Sequence, residues 1–231
     1  MHHVALDDQT LTLQHRDAPP LSGSLLAAWR QAGEAEFRVS RADRLEQRHS
    51  TETTCSLQVS LEPLRLQLTL VSATDAIQLS GHLQNTADTA VEVARVHYID
   101  GDLATPDLGL LCMQGDDRAR WRGRATRLRP LNERRRERYA RASVVRHYLA
   151  DPVHEADDWA LSDDYGVFTR DWRAPGWFVG AVGPGTAFGE VGLRTGRERL
   201  PFFIGVRLDG VRLAPGAVRQ LERLRIEFGD W

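Results

Sequence analysis

Residues 77–100 read IQLSGHLQNTADTAVEVARVHYID, and this stretch decides the fold. Ile77, Leu79 and Leu83 are spaced to share one face of a β-strand, because successive side chains of a strand point to opposite faces. A polar run from Asn85 to Thr89 interrupts the pattern, and a run rich in β-branched residues follows from Val91 to Ile99. This order of segments predicts a β-hairpin.

The returning arm of the predicted hairpin is apolar on both faces. Strict alternation places Val91, Val93 and Ile99 on one face, and Ala94, Val96 and Tyr98 on the other. A strand that is apolar all round is typical of a position covered from both sides. The arm is therefore predicted to lie inside a β-sandwich.

Upstream of the hairpin, the sequence continues the strand pattern. A first hairpin is predicted around Asp7-Asp8, and the alternating segments TCSLQVSL and LRLQLTLV are predicted as strands on either side of Pro63. The segment Asp17–Gly23 contains two prolines and is predicted to be a loop. Leu25–Gln31 fits a strand or a short helix.

Downstream, turn residues separate further strand candidates. GWFVGAVG and AFGEVGL are predicted to form a hairpin through Pro184-Gly185, and FFIGVRL and VRL a second one through Asp209-Gly210, a pair typical of type I′ turns. A Pro215-Gly216 turn precedes a closing strand, and Asn132–Ala142 is predicted as a short surface helix. The fold class predicted is all-β, an antiparallel β-sandwich with a few short helices, and residues 1–231 are predicted to form one domain.

The composition narrows the class of protein. Hydrophobic residues make up 42% and charged residues 27%, as in globular proteins, and the net charge is −2 with no lysine. These values argue against nucleic-acid and membrane partners, and without a signal-peptide pattern the chain is predicted to be cytoplasmic. The arginine-rich run Arg134–Arg141 favours a solvated helix face over a polyanion site.

The sequence contains none of the common catalytic motifs. A GxSxG elbow, a P-loop, a dinucleotide fingerprint and HExxH are all absent, and Cys55 and Cys112 stand apart, so no cofactor and no metal is predicted. His2-His3 is interpreted as part of a disordered terminus, and His97 as a hydrogen-bonded core histidine. The acidic connection Asp151–Asp164 contains Trp159, which keeps a sugar contact open.

Three segments together resemble a known domain: Ile77–Asp100, PGWFVGAVGPGTAFGEVGL from Pro175, and VRLAPGAVRQLERLRIEFGD from Val211. In order and spacing they resemble the N-terminal β-supersandwich domain of melibiase-type α-galactosidases, glycoside hydrolase family 36. The resemblance implies a domain of galactose-mutarotase-like fold that precedes a (β/α)8 barrel carrying both catalytic aspartates. The nucleophile of that family follows a lysine, which this chain does not contain.

The resemblance also implies a role and a set of partners. The chain is expected to be a non-catalytic domain, with Trp231 falling where the barrel would begin. Its expected partners are its own C-terminal barrel and a second subunit, and it would contact the α-galactoside substrate only indirectly. Asp171, Trp172 and Arg173 have the composition of a sugar-facing turn in some family members, although they come late in the chain. With Trp159 they are the carbohydrate-contact candidates. The alternative is a free-standing carbohydrate-binding sandwich.

Overall fold

The computed structural model describes residues 2–103, 109–114, 124–127, 159–163, 165–169, 174–182, 188–194 and 200–230. These residues form 18 strands and no helix, so none of them belongs to a helix that could cross a membrane. The strands are β1 (His2–Leu6), β2 (Leu11–His15), β3 (Ala18–Gln31), β4 (Arg38–Arg41), β5 (Leu45–Ser50), β6 (Thr54–Leu61), β7 (Leu64–Ser72), β8 (Ile77–Asn85), β9 (Val91–Leu103), β10 (Gly109–Gln114), β11 (Arg124–Arg127), β12 (Trp159–Asp163), β13 (Tyr165–Thr169), β14 (Gly176–Val182), β15 (Phe188–Arg194), β16 (Leu200–Leu213), β17 (Val218–Gln220) and β18 (Arg223–Gly229).

The strands form two antiparallel sheets. The eight-stranded sheet has the order β1-β2-β3-β9-β16-β15-β12, with β4 paired to β3. The ten-stranded sheet has the order β11-β10-β13-β14-β18-β8-β7-β6-β5, with β17 paired to β8. The predicted class, an all-β antiparallel sandwich, is therefore confirmed, and the predicted central hairpin is β8 followed by β9.

One hydrophobic cluster lies between the sheets. Strand β7 contributes Leu64, Leu66, Leu68 and Leu70 at alternate positions, and the polar residues between them face away from the cluster. The eight-stranded sheet contributes residues such as Val96 from β9. The hydrophobic effect on these alternating faces is what holds the two sheets together.

Strand β9 departs from the strict alternation that the sequence suggests. Its pairing with β3 shifts register between Ala28 and Trp29, and its pairing with β16 shifts between Ile204 and Gly205. Each shift is a bulge that turns the following side chains to the other face. The core cluster consequently includes Val91, Val93, Val96, Tyr98 and Ile99 of β9, which the sequence pattern had divided between two faces, together with Leu103.

The hairpin predicted at Asp209-Gly210 is wrong. β16 runs as one strand through both residues, and its register with β9 jumps from Arg207↔Arg95 to Val211↔Val93. Asp209 and Gly210 have φ values of 52° and 79°, the left-handed conformations that a type I′ turn also needs. The same local chemistry makes a large bulge here, because both flanking segments pair with β9.

The hairpin predicted between GWFVGAVG and AFGEVGL is also wrong. β14 pairs with β13 and β18 in the ten-stranded sheet, whereas β15 pairs with β12 and β16 in the eight-stranded sheet. The chain changes sheets between these two strands, so β14 pairs with the preceding strand β13 and β15 with the following strand β16. The predicted turn Pro184-Gly185 and the predicted helix Asn132–Ala142 lie outside the described residues.

Two predictions near the start of the chain need correction. Asp17–Gly23 was predicted as a loop, but β3 begins at Ala18, and its two prolines lie where the β2–β3 register shifts between Leu13 and His15. Prolines are tolerated at such irregular positions because fewer ladder hydrogen bonds are required. Leu25–Gln31 is strand rather than helix. His2 is not disordered, since it lies in β1 with 6% of its surface exposed.

Candidate functional site

Charged side chains gather on the outer face of the eight-stranded sheet. Val96 and Tyr98 face the core, so Arg95 and His97, which alternate with them in β9, face the opposite side. The same alternation in β15 places Glu190 on that outer side. All three polar residues are nevertheless buried, which is unusual for residues of these types.

Arg95 and Glu190 form the first half of this polar cluster. The Arg95 Nε lies 3.5 Å from Glu190 Oε2, and the two side chains are 4% and 0% exposed. His97, Gly205 and Glu190 occupy one row across β9, β16 and β15. Gly205 carries no side chain, so the long side chains of Arg95 and Glu190 can meet above it. Removing either partner of such a pair would leave a buried charge without compensation.

His97 and Asp100 form the second half of the cluster. His97 Nδ1 lies 2.9 Å from Asp100 Oδ2, and Arg41 Nη1 donates to Asp100 Oδ1 at 2.8 Å and to Ser24 Oγ at 3.1 Å. The Asp100 carboxylate oxygen can only accept in this contact, so His97 Nδ1 carries a proton. His97 is fully buried, whereas the side chain of Arg41 is 53% exposed.

Two glycines make room for the aromatic part of the cluster. The rings of His97 and Phe203 stack with centroids 4.1 Å apart and planes 5° from parallel. A Cβ at Gly192 would lie 2.2 Å from the Phe203 ring, and one at Gly205 would lie 2.9 Å from His97 Cδ2 and 2.4 Å from the Val96 carbonyl oxygen. Glycine at both positions is therefore required by the close approach of the rings.

The environment of Asp100 favours its ionised form. Burial alone would raise its pKa, but the hydrogen bond and charge of His97, together with Arg41, outweigh burial and hold the pKa of Asp100 below its usual value. A carboxyl group with a lowered pKa contributes stability at pH values above the unfolded pKa of about 3.9. That contribution is lost as the pH falls through the folded pKa.

We expect Asp100→Asn to lower the free energy of unfolding by about 1.5–3 kcal/mol at neutral pH, the range for hydrogen bonds to charged groups. The difference from wild type should shrink as the pH falls below about 4, because the carboxyl of the unfolded wild-type chain takes up a proton there before that of the folded chain. Urea unfolding at a series of pH values measures this. Asp88→Asn, at an exposed position in the β8–β9 turn, is the control. A difference that stays constant with pH would contradict the assignment.

The cluster offers charges and an oriented imidazole but no open carboxylate pair. Retaining glycosidases hold two carboxyl groups about 5 Å apart across the bond that is cleaved. Here the Glu190 carboxylate contacts Arg95, and the Asp100 carboxylate is bonded to His97 and Arg41. Within the described ranges, no three His, Cys, Asp or Glu residues come together to hold a metal ion.

The predicted sugar-contact residues lie elsewhere. Asp171, Trp172 and Arg173 are outside the described residues, so their role stays a prediction. Trp159 belongs to what was predicted as an acidic connection, but its backbone begins strand β12 and pairs with Arg194 at the edge of the eight-stranded sheet.

The cluster could have been suspected from the sequence in part. His97 was predicted as a hydrogen-bonded core histidine, and this is confirmed. Arg95 and Glu190 are charged residues inside otherwise apolar strand segments, and Gly192 and Gly205 interrupt such segments, which are both signals of a special environment. The pairing of these residues depends on strand order, which no local pattern contains.

Comparison with known proteins identifies the fold. No protein-family model and no curated protein sequence matches the chain. Among solved structures, the GH36 α-galactosidase AgaA from Geobacillus stearothermophilus matches with a TM-score of 0.59 and 9% identity, covering 100% of this chain and 41% of that one. AgaB from the same organism matches with a TM-score of 0.57 and 11% identity over 88% of this chain and 30% of its own.

A second kind of neighbour is a smaller protein. A structure described as a putative aldose 1-epimerase from Escherichia coli K12 matches with a TM-score of 0.51 and 9% identity, covering 100% of this chain and 99% of that chain. In contrast, this chain spans less than half the length of the α-galactosidases it matches. At these identities the similarity concerns the fold alone. The chain therefore has the galactose-mutarotase-like β-sandwich fold found in GH36 α-galactosidases, as the sequence resemblance implied.

Proposed function

We propose that this chain is the non-catalytic β-supersandwich domain of an α-galactosidase-like glycoside hydrolase, which packs against the catalytic barrel and flanks its active site. The observation that carries the proposal is the match of the whole chain to only 41% of an α-galactosidase. The remainder of such an enzyme is long enough for a (β/α)8 barrel, which typically needs about 250 residues.

The state of the polar cluster supports a non-catalytic role. A catalytic acid or base must reach the proton it transfers. His97 and Glu190 are both 0% exposed, and the carboxylate of Asp100 is engaged by His97 and Arg41. Buried and mutually compensated groups of this kind orient a fold rather than bind a substrate. The chemistry would then belong to the barrel.

The apolar arm of β9 does not supply a surface for the barrel. Its apolar residues along Val91–Ile99 are covered within the chain except for the half-buried Ala94. Among the described residues, the exposed large hydrophobic side chains are single valines on four different strands, namely Val39, Val71, Val182 and Val218. Scattered apolar residues of this kind do not define a docking patch.

A second candidate is a free-standing carbohydrate-binding sandwich. It is favoured by the match to a putative aldose 1-epimerase over nearly the full length of both chains. An epimerase requires an acid and a base that both face the sugar. Among the described residues, His97 and Glu190 lie on one face, but both are completely buried. Burial therefore argues against epimerase chemistry at this pair, and sugar binding without chemistry is tested by the calorimetry described below.

An activity assay tests the proposal. We expect the 231-residue chain to leave a chromogenic α-galactoside intact, and a protein that also contains the reading frame downstream of Trp231 to hydrolyse it. Hydrolysis by the shorter chain that is lost in Glu190→Gln would contradict a non-catalytic role. Calorimetry of the shorter chain with galactose, melibiose and raffinose tests the second candidate, the sugar-binding sandwich. Millimolar binding that disappears in Trp172→Ala would favour a sugar-binding module.

A further inference from the structure

Two histidines face each other where the first strand joins the sandwich. His2 of β1 and His15 of β2 are cross-strand partners, and their ring centroids are 4.9 Å apart. The Trp177 ring lies 5.8 Å from His2 and 6.4 Å from His15, and the Phe228 ring lies 4.9 Å from His15. His2 is 6% exposed, and the side chain of His15 is 13% exposed. The pair is thus enclosed largely by aromatic rings.

The hydrogen bonds of this histidine pair fit neutral rings. His2 Nε2 lies 2.9 Å from the carbonyl oxygen of Asp75, so Nε2 carries the proton. Its Nδ1 is buried and has no hydrogen-bond partner in the part of the chain that the structure describes. His15 Nδ1 accepts the backbone N–H of Asp17 at 3.3 Å. A second proton on His2 would therefore be buried without an acceptor, and one on His15 Nδ1 would face another donor.

Among the described residues, the acids near the pair are themselves bound to arginines. Asp17 lies 3.9 Å from His15 Nδ1, but it is 59% exposed and bonded to Arg16. The Asp75 carboxylate binds Arg225 at 2.6 Å, and Arg225 also binds Glu227 of β18. The amino terminus and Arg16 add positive charge nearby. The neighbouring acids are thus already paired with arginines.

Both rings therefore resist protonation in the folded chain. Burial is the main cause that lowers the pKa of His2 and of His15 below 6.5, and the Asp75 carbonyl oxygen only partly offsets it for His2. When the folded pKa is lower than the unfolded pKa, the unfolded state binds more protons. The stability that the neutral pair contributes is present above the unfolded pKa and is lost as the pH falls through the folded pKa.

Strand β1 is the part of the fold that such protonation would release first. It is a five-residue strand at the edge of its sheet, paired there with β2. Its other described ties are the His2 bond to Asp75, a bond from Ser72 Oγ to the His2 carbonyl oxygen at 3.3 Å, and the packing of the half-buried Val4 and Leu6 against the core cluster. Short edge strands open at a lower free-energy cost than core strands.

We propose that the His2–His15 pair is an acid-sensitive latch that holds β1 on the sandwich at neutral pH and releases it in mild acid, uncovering Trp177. Two like charges 4.9 Å apart in an aromatic enclosure repel each other, and separation of β1 from β2 brings water to both rings. The latch is independent of the proposed function. It acts in a higher pH range than Asp100, whose contribution is lost only below about pH 4.

Hydrogen exchange on the full 231-residue chain tests the latch. After correction for intrinsic rates, we expect the protection of the β1 amides to fall at least about tenfold between about pH 7.5 and 5.5, because opening is linked to uptake of up to two protons. Protection of β7 should not change. The fall should be absent in the double variant His2→Phe with His15→Phe, which keeps two rings that do not titrate, and it should persist in His3→Gln, an exposed neighbour on the same strand.

Three results would overturn the proposal. The first is unchanged β1 protection in the wild-type chain, and the second is a fall that persists in the double variant. The third uses the wild-type chain and therefore applies even if the double variant does not fold. It is an NMR titration in which β1 is released while the rings of His2 and His15 stay neutral. Titration of both rings together with loss of β1 protection would support the proposal without any variant.

Discussion

Replacing Asn85 with aspartate is expected to lower the free energy of unfolding by about 3–5 kcal/mol, the cost of an uncompensated buried charge. Asn85 is fully buried, and its Nδ2 lies 2.8 Å, 3.1 Å and 3.2 Å from the carbonyl oxygens of Thr89, Leu213 and Ala214. Its Oδ1 accepts the backbone N–H of Ala87. A carboxylate would keep the last bond and place an oxygen against three carbonyl oxygens.

The size of this destabilisation should depend on pH. Burial and the facing carbonyl dipoles would raise the pKa of the new carboxyl group, so the destabilisation should shrink as the pH is lowered. Urea unfolding followed by circular dichroism at several pH values measures both effects. Gln78→Glu makes the same chemical change at an exposed position of strand β8 and should have little effect. Equal unfolding curves for Asn85→Asp and wild type would refute the linking role of Asn85.

Asn85 also shows how far the sequence pattern reaches. The polar run after β8 predicted the turn, and the turn is present between β8 and β9. The pattern could not show that the Asn85 side chain bonds to the connection after β16, because Leu213 is 128 residues away. Alternation within a strand is a local property set by side-chain geometry, whereas such a bond depends on which strands become neighbours.

The polar cluster illustrates the same limit. In a regular strand, His97 and Asp100 would point to opposite faces, because residues three apart differ by an odd number of steps. The bulges in β9 bring their side chains within 2.9 Å of each other. A bulge forms where one strand has an extra residue opposite its partner strand, so the sequence of β9 alone could not predict it. The burial of His97 was predictable from its apolar neighbours, and its partner was not.

The residue types predicted a chain reversal correctly at Pro215-Gly216 and incorrectly at Asp209-Gly210. At the first site Gly216 has a φ of 73°, and the backbone N–H of Ala217 bonds to the carbonyl of Ala214, which closes a turn. At the second site the same kind of backbone conformation forms a bulge inside β16. Positive φ values were predictable from the residue types. Whether the chain reverses there depends on the pairing of the flanking segments.

Replacing Gly101 with alanine is expected to destabilise the chain by about 3 kcal/mol or more, at the upper end of overpacking effects. Strands β3 and β9 approach closely at two glycines. A Cβ at Gly101 would lie 2.0 Å from the Ser22 carbonyl oxygen and 2.8 Å from the Gly23 Cα, and one at Gly23 would lie 2.5 Å from the backbone of Asp100. The obstructing atoms belong to the backbone, so a side-chain rotation cannot relieve the clash.

The Gly101 change should reach the polar cluster as well as the global stability. Separation of β3 from β9 would move Asp100, which neighbours Gly101, away from Arg41 and His97, so the NMR signal of the His97 Nδ1 proton should weaken or shift. Thermal unfolding measures the global effect, about 2–4 °C per kcal/mol for a chain of this size. Gly229→Ala is the matched control, because no atom lies within 4 Å of the added Cβ. If Gly101→Ala matched this control in both measurements, the two strands would not be in the close contact that the structure gives them.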